Sequence, residues 1–172
     1  MININQLGEI FPHAGDKIFT YFGPLNDAMD EREVNNPNRQ TMFLAEVAVE
    51  SGELRYVEEI ASGAAYEGRA DLGNSQPGDG VRFKGRGLIQ ITGRFNYEKC
   101  GAALGLDLIA SPELLCTPEN ASRSAAWFWQ THGCNELADA DNFRRVTLVI
   151  NGGLNGYEDR LAYLELAQKA LT

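Results

Sequence analysis

Two glutamates in the stretch from Phe43 to Glu59, FLAEVAVESGELRYVEE, could carry out acid–base chemistry. If this stretch is helical, Glu50 shares a face with Phe43 and Val47, because the three residues are spaced i, i+4 and i+7. Partial desolvation on that face disfavours the charged form, so Glu50 is a candidate acid that keeps its proton near neutral pH. Glu59 follows a Ser-Gly break, lies in a polar run and should stay ionised. Glycosidic hydrolysis requires two carboxylates in surroundings as different as these.

The elements that must position these glutamates are predicted to be mainly helical. Residues 3–35 have the pattern of two short amphipathic helices. Asn36-Pro37 is typical of a cap and first-turn proline, and Ser51-Gly52 would end the helix that they begin. Further helices are predicted over 95–104, from Ser111-Pro112 onward, and over 118–131, 143–150 and 156–171.

The segment from Ile60 to Gly80 is rich in glycine, alanine and turn residues, which predicts a small loop-rich lobe over residues 55–82. Just beyond it, Gly85 and Gly87 flank Arg86, and such glycines allow close backbone approach. No internal repeat or linker interrupts the chain. We therefore expect residues 1–172 to form a single catalytic domain without a separate domain for binding the cell wall.

Composition excludes several classes of function. The net charge is −9, which argues against nucleic acid as the main partner and against a polybasic membrane anchor. No run reaches membrane-spanning length, and the start, MININQLGEIF, has no secretory signal pattern, so we expect synthesis in the cytoplasm. The three cysteines are expected to be reduced and mostly buried: Cys100, Cys116 and Cys134.

Four motifs occur in one order between about residues 40 and 165. They are FLAEVAVESGELRYVEE, GDGVRFKGRGLIQITGRFNY, SAAWFWQTHGC and VTLVINGG. Together they resemble glycoside hydrolase family 19, which holds plant-type chitinases and many phage endolysins. The size of the chain, its predicted helical N-terminal segment and the sequence GRGLIQITG favour the endolysin branch. The resemblance implies a lysozyme-like helical fold with a substrate cleft between two lobes, and an inverting mechanism that needs no cofactor and no metal.

By position in these motifs, the resemblance makes Glu50 the general acid and Glu59 the general base, with the hydroxyl of Thr92 holding the attacking water. It also implies several residues that bind sugar or support the carboxylates: Gln90, Asn96, Asn151 and Arg160. Val49 stands where most members carry histidine, and Phe95 where plant members carry tyrosine.

Rival residues remain open at this stage. Tyr97 and Phe83 are expected to line the cleft, with Tyr97 binding substrate, whereas Trp127 and Trp129 lie in an apolar helix and are expected in the core. Because the segment after Glu59 is short, other glutamates could supply the base: Glu53, Glu58 and Glu67.

Two other classes of enzyme have weaker support. A zinc amidase needs about three protein ligands, and the chain offers only His13, His132 and the nearby Cys134. A cysteine–histidine peptidase could use Cys116 with His132, although neither lies in a recognisable nucleophile motif. A sugar-binding module without catalysis would lack the acid, and Glu50 is present.

The sequence therefore predicts an endolysin of phage or prophage type that cleaves β-1,4 bonds in the glycan strand of peptidoglycan. The alternative is a chitinase acting on β-1,4 GlcNAc polymers. The expected missing signal peptide favours the first function, because endolysins accumulate in the cytoplasm and reach the wall after the membrane is permeabilised. We expect a monomer that binds peptidoglycan or chitin oligomers and neither binds nucleic acid nor inserts into a membrane.

Overall fold

Helices make up most of the computed structural model, which describes residues 1–171. The α-helices are α1 Ile4–Ile10, α2 Lys17–Glu31, α3 Pro37–Ser51, α4 Asp79–Arg82, α5 Arg94–Leu104, α6 Pro118–Thr131, α7 Cys134–Asp139, α8 Phe143–Asn151 and α9 Tyr157–Leu171. Short 3₁₀ turns lie at Ala64–Tyr66, Ala70–Leu72 and Pro112–Cys116. The mainly helical class predicted from the sequence is confirmed. Within the described residues, no helix is long and apolar enough to cross a membrane.

Local signals set the ends of α3. The side chain of Asn36 accepts a hydrogen bond from the backbone N–H of Arg39 at 3.0 Å, and Pro37 occupies the first turn, as predicted. Gly52 ends the helix in the left-handed conformation with φ 55°. Helix α2 continues through Pro24, and the segment predicted to be helical from Ser111-Pro112 onward is a short 3₁₀ turn without a side-chain cap.

Helix α3 is the centre of the larger hydrophobic cluster. Every residue from Thr41 to Ala48 is buried, because α3 is surrounded by α1, α7, α8 and α9. Phe43 meets the edge of Trp129 at 5.5 Å between ring centroids, and the indole N–H of Trp129 donates to Asn135 at 2.8 Å. Trp129 is therefore a core residue, as expected. The helix that ends in Glu50 is rigidly held on all sides.

A second, smaller hydrophobic cluster lies around α5. Its buried members are Phe83, Ile91, Tyr97, Cys100, Leu104, Leu108, Leu115 and Trp127. The cluster anchors the irregular chain between α4 and α5, which carries the GRGLIQIT motif. The segment before it, residues 55–82, is mostly exposed and loop-rich, as predicted.

The chain turns sharply after α3 through three consecutive left-handed residues. Gly52, Glu53 and Leu54 have φ values of 55°, 55° and 67°. The last two are not glycines, so this backbone is costly and needs support. The Glu53 N–H donates to the carbonyl of Ala48 at 2.8 Å, and the Leu54 N–H donates to the hydroxyl of Ser51 at 2.8 Å. This turn carries the chain from Glu50 toward Glu59.

The carboxylate of Glu53 further stabilises the turn. It accepts hydrogen bonds from the backbone N–H and ring Nδ1 of His13, the latter at 2.8 Å, and from the hydroxyl of Tyr163. These contacts join the α1–α2 connection, the end of α3 and α9. Burial raises the pKa of Glu53, but the hydrogen bonds from Tyr163 and His13 outweigh it and hold that pKa below its usual value.

Replacing Glu53 should therefore destabilise the fold in a pH-dependent way. The pKa of Glu53 is depressed on folding, so its contribution is present above the unfolded pKa and is lost as pH falls through the folded value. Glu53→Gln should lower the free energy of unfolding by about 2 kcal/mol at pH 7 and by much less near pH 3. Urea unfolding at the two pH values measures this difference. The exposed Glu9→Gln is the control, and an equal loss for Glu53→Gln at both pH values would contradict the prediction.

Candidate active site

Glu50 lies in the last turn of α3 and is half-buried. Its Oε1 accepts a hydrogen bond from Nη2 of Arg160 at 2.6 Å. Arg160, in α9, is itself buried, with 2% of its surface exposed. Phe43 and Val47 are fully buried on the same helix, as the sequence spacing predicted. Glu50 therefore faces a buried cation as well as an apolar interior.

The guanidinium of Arg160 also contacts a second carboxylate, which the sequence reasoning did not single out. Nη1 donates to Oε2 of Glu46, one helical turn before Glu50, and Glu46 is fully buried. The hydroxyl of Thr147, in α8, donates to the other oxygen of Glu46 at 2.6 Å. Burial raises the pKa of Glu46, against the lowering effect of Thr147 and Arg160. The available signal was a carboxylate four residues before Glu50, between apolar neighbours.

The carboxylate of Glu59 has different surroundings, with neutral donors on both oxygens. Oε1 accepts from the hydroxyl of Tyr66 at 3.0 Å, and Oε2 accepts from the backbone N–H of Gly85 at 3.1 Å. The ammonium group of Lys84 donates to the backbone carbonyl of Glu59 at 3.1 Å. Burial, followed by the bond to Glu59, raises the pKa of Tyr66, so the phenol remains a donor. Each carboxylate oxygen can accept a further bond, which leaves capacity for a water molecule.

Backbone pairing fixes Glu59 beside the glycine-rich motif. The Glu59 N–H donates to the carbonyl of Gly85 at 2.8 Å, and the Gly87 N–H donates to the carbonyl of Val57 at 2.9 Å. Between them, Arg86 forms isolated bridges with Glu58 and Ile91. These contacts hold the candidate base against the same chain segment that carries Gln90 and Thr92.

The three rival glutamates have other partners. Glu58 forms ion pairs with Arg86 at 2.9 Å and with Lys84 at 3.5 Å. Both oxygens of Glu67 accept backbone N–H bonds, from Gly78 at 2.7 Å and Gly80 at 2.8 Å, which close a surface loop. Glu53 is occupied by His13 and Tyr163, as described above.

Gln90, Thr92 and Asn96 come together around one cavity of about 130 Å³. Asn96 donates from its amide to the carbonyl of Thr92 at 2.8 Å. The remaining lining residues are Leu72, Ile91, Trp127, Phe128 and His132. The cavity therefore combines hydroxyl and amide groups with aromatic side chains, a combination that suits a sugar.

Gly85 connects the cavity to Glu59. Its N–H donates to Glu59, and a Cβ atom built on it would lie 2.5 Å from Oε1 of Gln90 and 3.1 Å from Cβ of Gln90. The candidate base and the amide of Gln90 thus approach the same glycine from two sides. A side chain at this position would have to displace Gln90.

Tyr97 and Phe83 do not line this cavity, although both were expected in the cleft and Tyr97 was expected to bind substrate. Both are fully buried in the smaller cluster. The hydroxyl of Tyr97 donates to the carbonyl of Lys84 at 2.6 Å and accepts from Arg86 at 3.0 Å. Tyr97 therefore supports the glycine-rich segment from inside the core. Trp127 is a buried member of the same cluster, as expected, and also lies on the cavity wall.

Asn151 is the last residue of α8, and its side-chain oxygen is buried without a hydrogen-bond partner within the described residues. A buried acceptor without a donor is costly.

The cysteines and histidines are not arranged as a nucleophile pair. Cys100 and Cys134 are buried and free, and burial raises the pKa of each thiol to about 12, which disfavours the reactive thiolate. Cys116 donates to the carbonyl of Val57 at 3.7 Å, and His132 stacks on Phe128 with ring centroids 3.9 Å apart. Across residues 1–171, no group of three or more histidine, cysteine or acidic residues could hold a metal ion.

Comparison with known proteins identifies the family. Residues 44–143 match the family described as chitinase class I, glycoside hydrolase family 19. A family 19 domain-containing protein of Haemophilus influenzae is 31% identical over 192 residues, which cover 93% of this chain and 92% of that protein. The chain belongs to glycoside hydrolase family 19. This family 19 chain is therefore a glycoside hydrolase, related to chitinases.

Two further relatives are chitinases by name. An endochitinase of Arabidopsis thaliana is 42% identical over 135 residues, which cover 73% of the family 19 chain but 48% of the plant protein. The structure of chitinase C from Streptomyces griseus superposes with a TM-score of 0.83 at 23% identity, over 99% of this chain and 76% of that one. This likeness confirms the lysozyme-like helical fold that the sequence motifs implied.

Filling the space at Gly85 should impair the site without unfolding the protein. In Gly85→Ala, the added methyl group would displace Gln90 from the position beside Glu59, and small displacements of this kind cost up to about 100-fold in rate. We expect kcat/KM on a soluble glycan to fall by at least about tenfold, with little change in Tm. The control is Gly23→Ala inside α2, where a Cβ atom meets nothing within 4 Å. Equal activities of the two variants would contradict this account of the cavity.

Proposed function

We propose that this glycoside hydrolase cleaves β-1,4 bonds between the amino sugars of bacterial peptidoglycan, with Glu50 as general acid and Glu59 as general base. The observation that carries the proposal is the contrast between the two carboxylates. Glu50 borders a buried cluster that contains Arg160 and a second carboxylate, whereas the carboxylate oxygens of Glu59 accept hydrogen bonds from the neutral groups of Tyr66 and Gly85. A carboxylate near another carboxylate can hold a proton, and a carboxylate surrounded by donors stays ionised.

The proposed reaction is a single displacement. Glu50 gives its proton to the glycosidic oxygen as the bond from that oxygen to the anomeric carbon breaks. A water molecule, oriented by the hydroxyl of Thr92, attacks the anomeric carbon from the opposite face, and its proton passes to Glu59. The product then has the inverted anomeric configuration. Glu50 ends the step ionised and Glu59 protonated, and exchange with solvent restores both.

The cavity beside Glu59 suits an N-acetylated sugar. Aromatic side chains such as Trp127 and Phe128 can pack on the apolar face of a pyranose ring. Gln90 and Asn96 offer amide groups to its hydroxyls and acetamido group. No metal or cofactor enters the proposed steps.

Two observations favour different substrates. The sequence GRGLIQITG resembles the endolysin branch and supports peptidoglycan as the substrate. The enzyme would then act at the cell wall after leaving the cytoplasm. The similarity to an Arabidopsis endochitinase supports chitin, a β-1,4 polymer of the same class of sugar. Peptidoglycan is our first proposal and chitin the second.

Replacing Glu50 and Glu59 one at a time should distinguish the general acid from the general base. Glu50→Gln should abolish turnover with the fold intact, because Gln cannot donate a proton to the leaving oxygen, and Glu59→Gln should lower kcat by about 10²-fold or more. Glycan turnover and circular dichroism measure both effects, and proton NMR of the first product should show inversion. Glu58→Gln and Glu67→Gln are the matched controls. A larger loss of turnover at either control than at Glu59 would assign the general base to that control residue. Retention of the anomeric configuration would rule out the single-displacement mechanism.

The substrate proposal calls for a direct comparison. Purified peptidoglycan and chitin oligomers, digested side by side, should both be assayed for new reducing ends by mass spectrometry of the fragments. We expect faster release from peptidoglycan. Faster cleavage of chitin oligomers would favour the second proposal, and release of free amines without reducing ends would contradict both.

A further inference from the structure

Glu46 is a buried carboxylate that the proposed reaction steps do not use. It lies one helical turn before Glu50 on α3, and the two carboxylates contact the same guanidinium. Arg160 donates to Glu46 from Nη1 and to Glu50 from Nη2, so the cation lies between them. Glu46 is fully buried, whereas the side chain of Glu50 is 20% exposed. Of the two, Glu50 is the member that a substrate can reach.

The charges of this cluster are unbalanced when both carboxylates are ionised. Two carboxylates and one guanidinium then carry a net charge of −1 in a desolvated site, and one added proton makes the cluster neutral. Burial and like charge both favour retention of that proton. The groups that face Glu46 are the hydroxyl of Thr147 from α8, Arg160 from α9, the thiol of Cys134 from α7 and Glu50 from its own helix. Arg160 is the only cation among them.

We propose that Glu46 is a positioning residue for the acid step: by sharing Arg160, it lets the Glu46–Glu50 pair retain one proton near neutral pH, which Glu50 delivers to the leaving oxygen. This proposal rests on the proposed role of Glu50 as general acid. After delivery both carboxylates are ionised, and the pair takes up one proton from solvent through Glu50. The raised pKa of Glu46, caused by its burial, agrees with this arrangement.

The effect of removing Glu46 has a definite sign, whichever carboxylate holds the proton at rest. In the native pair, the second deprotonation creates two negative charges beside one cation, which is unfavourable. In Glu46→Gln that step disappears, and the full attraction of Arg160 acts on Glu50 alone. The ionised form of Glu50 is then favoured, so the acid loses its proton at lower pH than in the native enzyme.

The test is the pH dependence of kcat/KM for Glu46→Gln. We expect the alkaline limb of the pH profile, where kcat/KM falls as the acid loses its proton, to shift to lower pH by roughly one unit. At pH values above this limb, kcat/KM should be about tenfold lower than in the native enzyme, and it should recover as the pH is lowered. Glu46→Asp keeps the charge and should restore the native limb. Glu53→Gln removes a buried carboxylate that does not contact Arg160, so it should destabilise the protein without moving the limb.

A second measurement does not depend on the folding of Glu46→Gln. Infrared spectra of the native enzyme at pH 7 should show the carbonyl stretch of a protonated carboxyl group, which is lost on raising the pH and absent in Glu50→Gln. The proposal is overturned if folded Glu46→Gln keeps the native limb, or if the native enzyme lacks this band. If Glu50→Gln is inactive while Glu46→Gln keeps the native limb, only the role of Glu46 fails. If Glu50→Gln remains active, the proposed acid itself is wrong.

Discussion

The buried guanidinium of Arg160 is the contact on which the site depends. A buried cation is tolerated only when its hydrogen bonds and charge are matched, and removal of one partner from such a pair costs about 3–5 kcal/mol. Arg160 meets this requirement with two carboxylates from α3, so the packing of α9 on α3 and the environment of Glu50 are a single interaction. Stability and acid chemistry are therefore coupled at this residue.

Glu59 is held in a different way. Its carboxylate accepts from a phenol and a backbone amide, and its own backbone pairs with Gly85. That segment is anchored by the smaller hydrophobic cluster, whereas Glu50 belongs to the helix at the centre of the larger one. The two candidate carboxylates thus derive their surroundings from different halves of the core.

Much of the fold could be predicted from local signals. The cap at Asn36, the stop at Gly52 and the helix over 118–131 depend on residues close in sequence, and all three predictions were confirmed. The partners of Glu50 and Glu59 could be predicted only in part. Arg160 followed from the family resemblance, but Glu46, although it lies within the first motif, and Tyr66, which lies between the first two, were not singled out.

Tyr97 shows why burial is harder to predict than helix formation. The α5 pattern allows this side chain to face either a cleft or a core, and the choice depends on Arg86 and the carbonyl of Lys84, which approach from a distant part of the sequence. Trp127, by contrast, is buried in the smaller cluster, as its apolar helix predicted, although it also lines the cavity. For Tyr97, tertiary contacts decide what the local pattern leaves open.

The left-handed turn at Gly52–Leu54 has a consequence for how enzymes of this shape can diverge. Because its backbone is held by bonds to Ala48 and Ser51, an insertion between Glu50 and Glu59 would break those bonds and shift the base. The residues from Gly68 to Asp71, by contrast, are all exposed and tolerate changes in length. Changes in length at this loop can therefore alter the protein surface while the spacing of Glu50 and Glu59 stays constant.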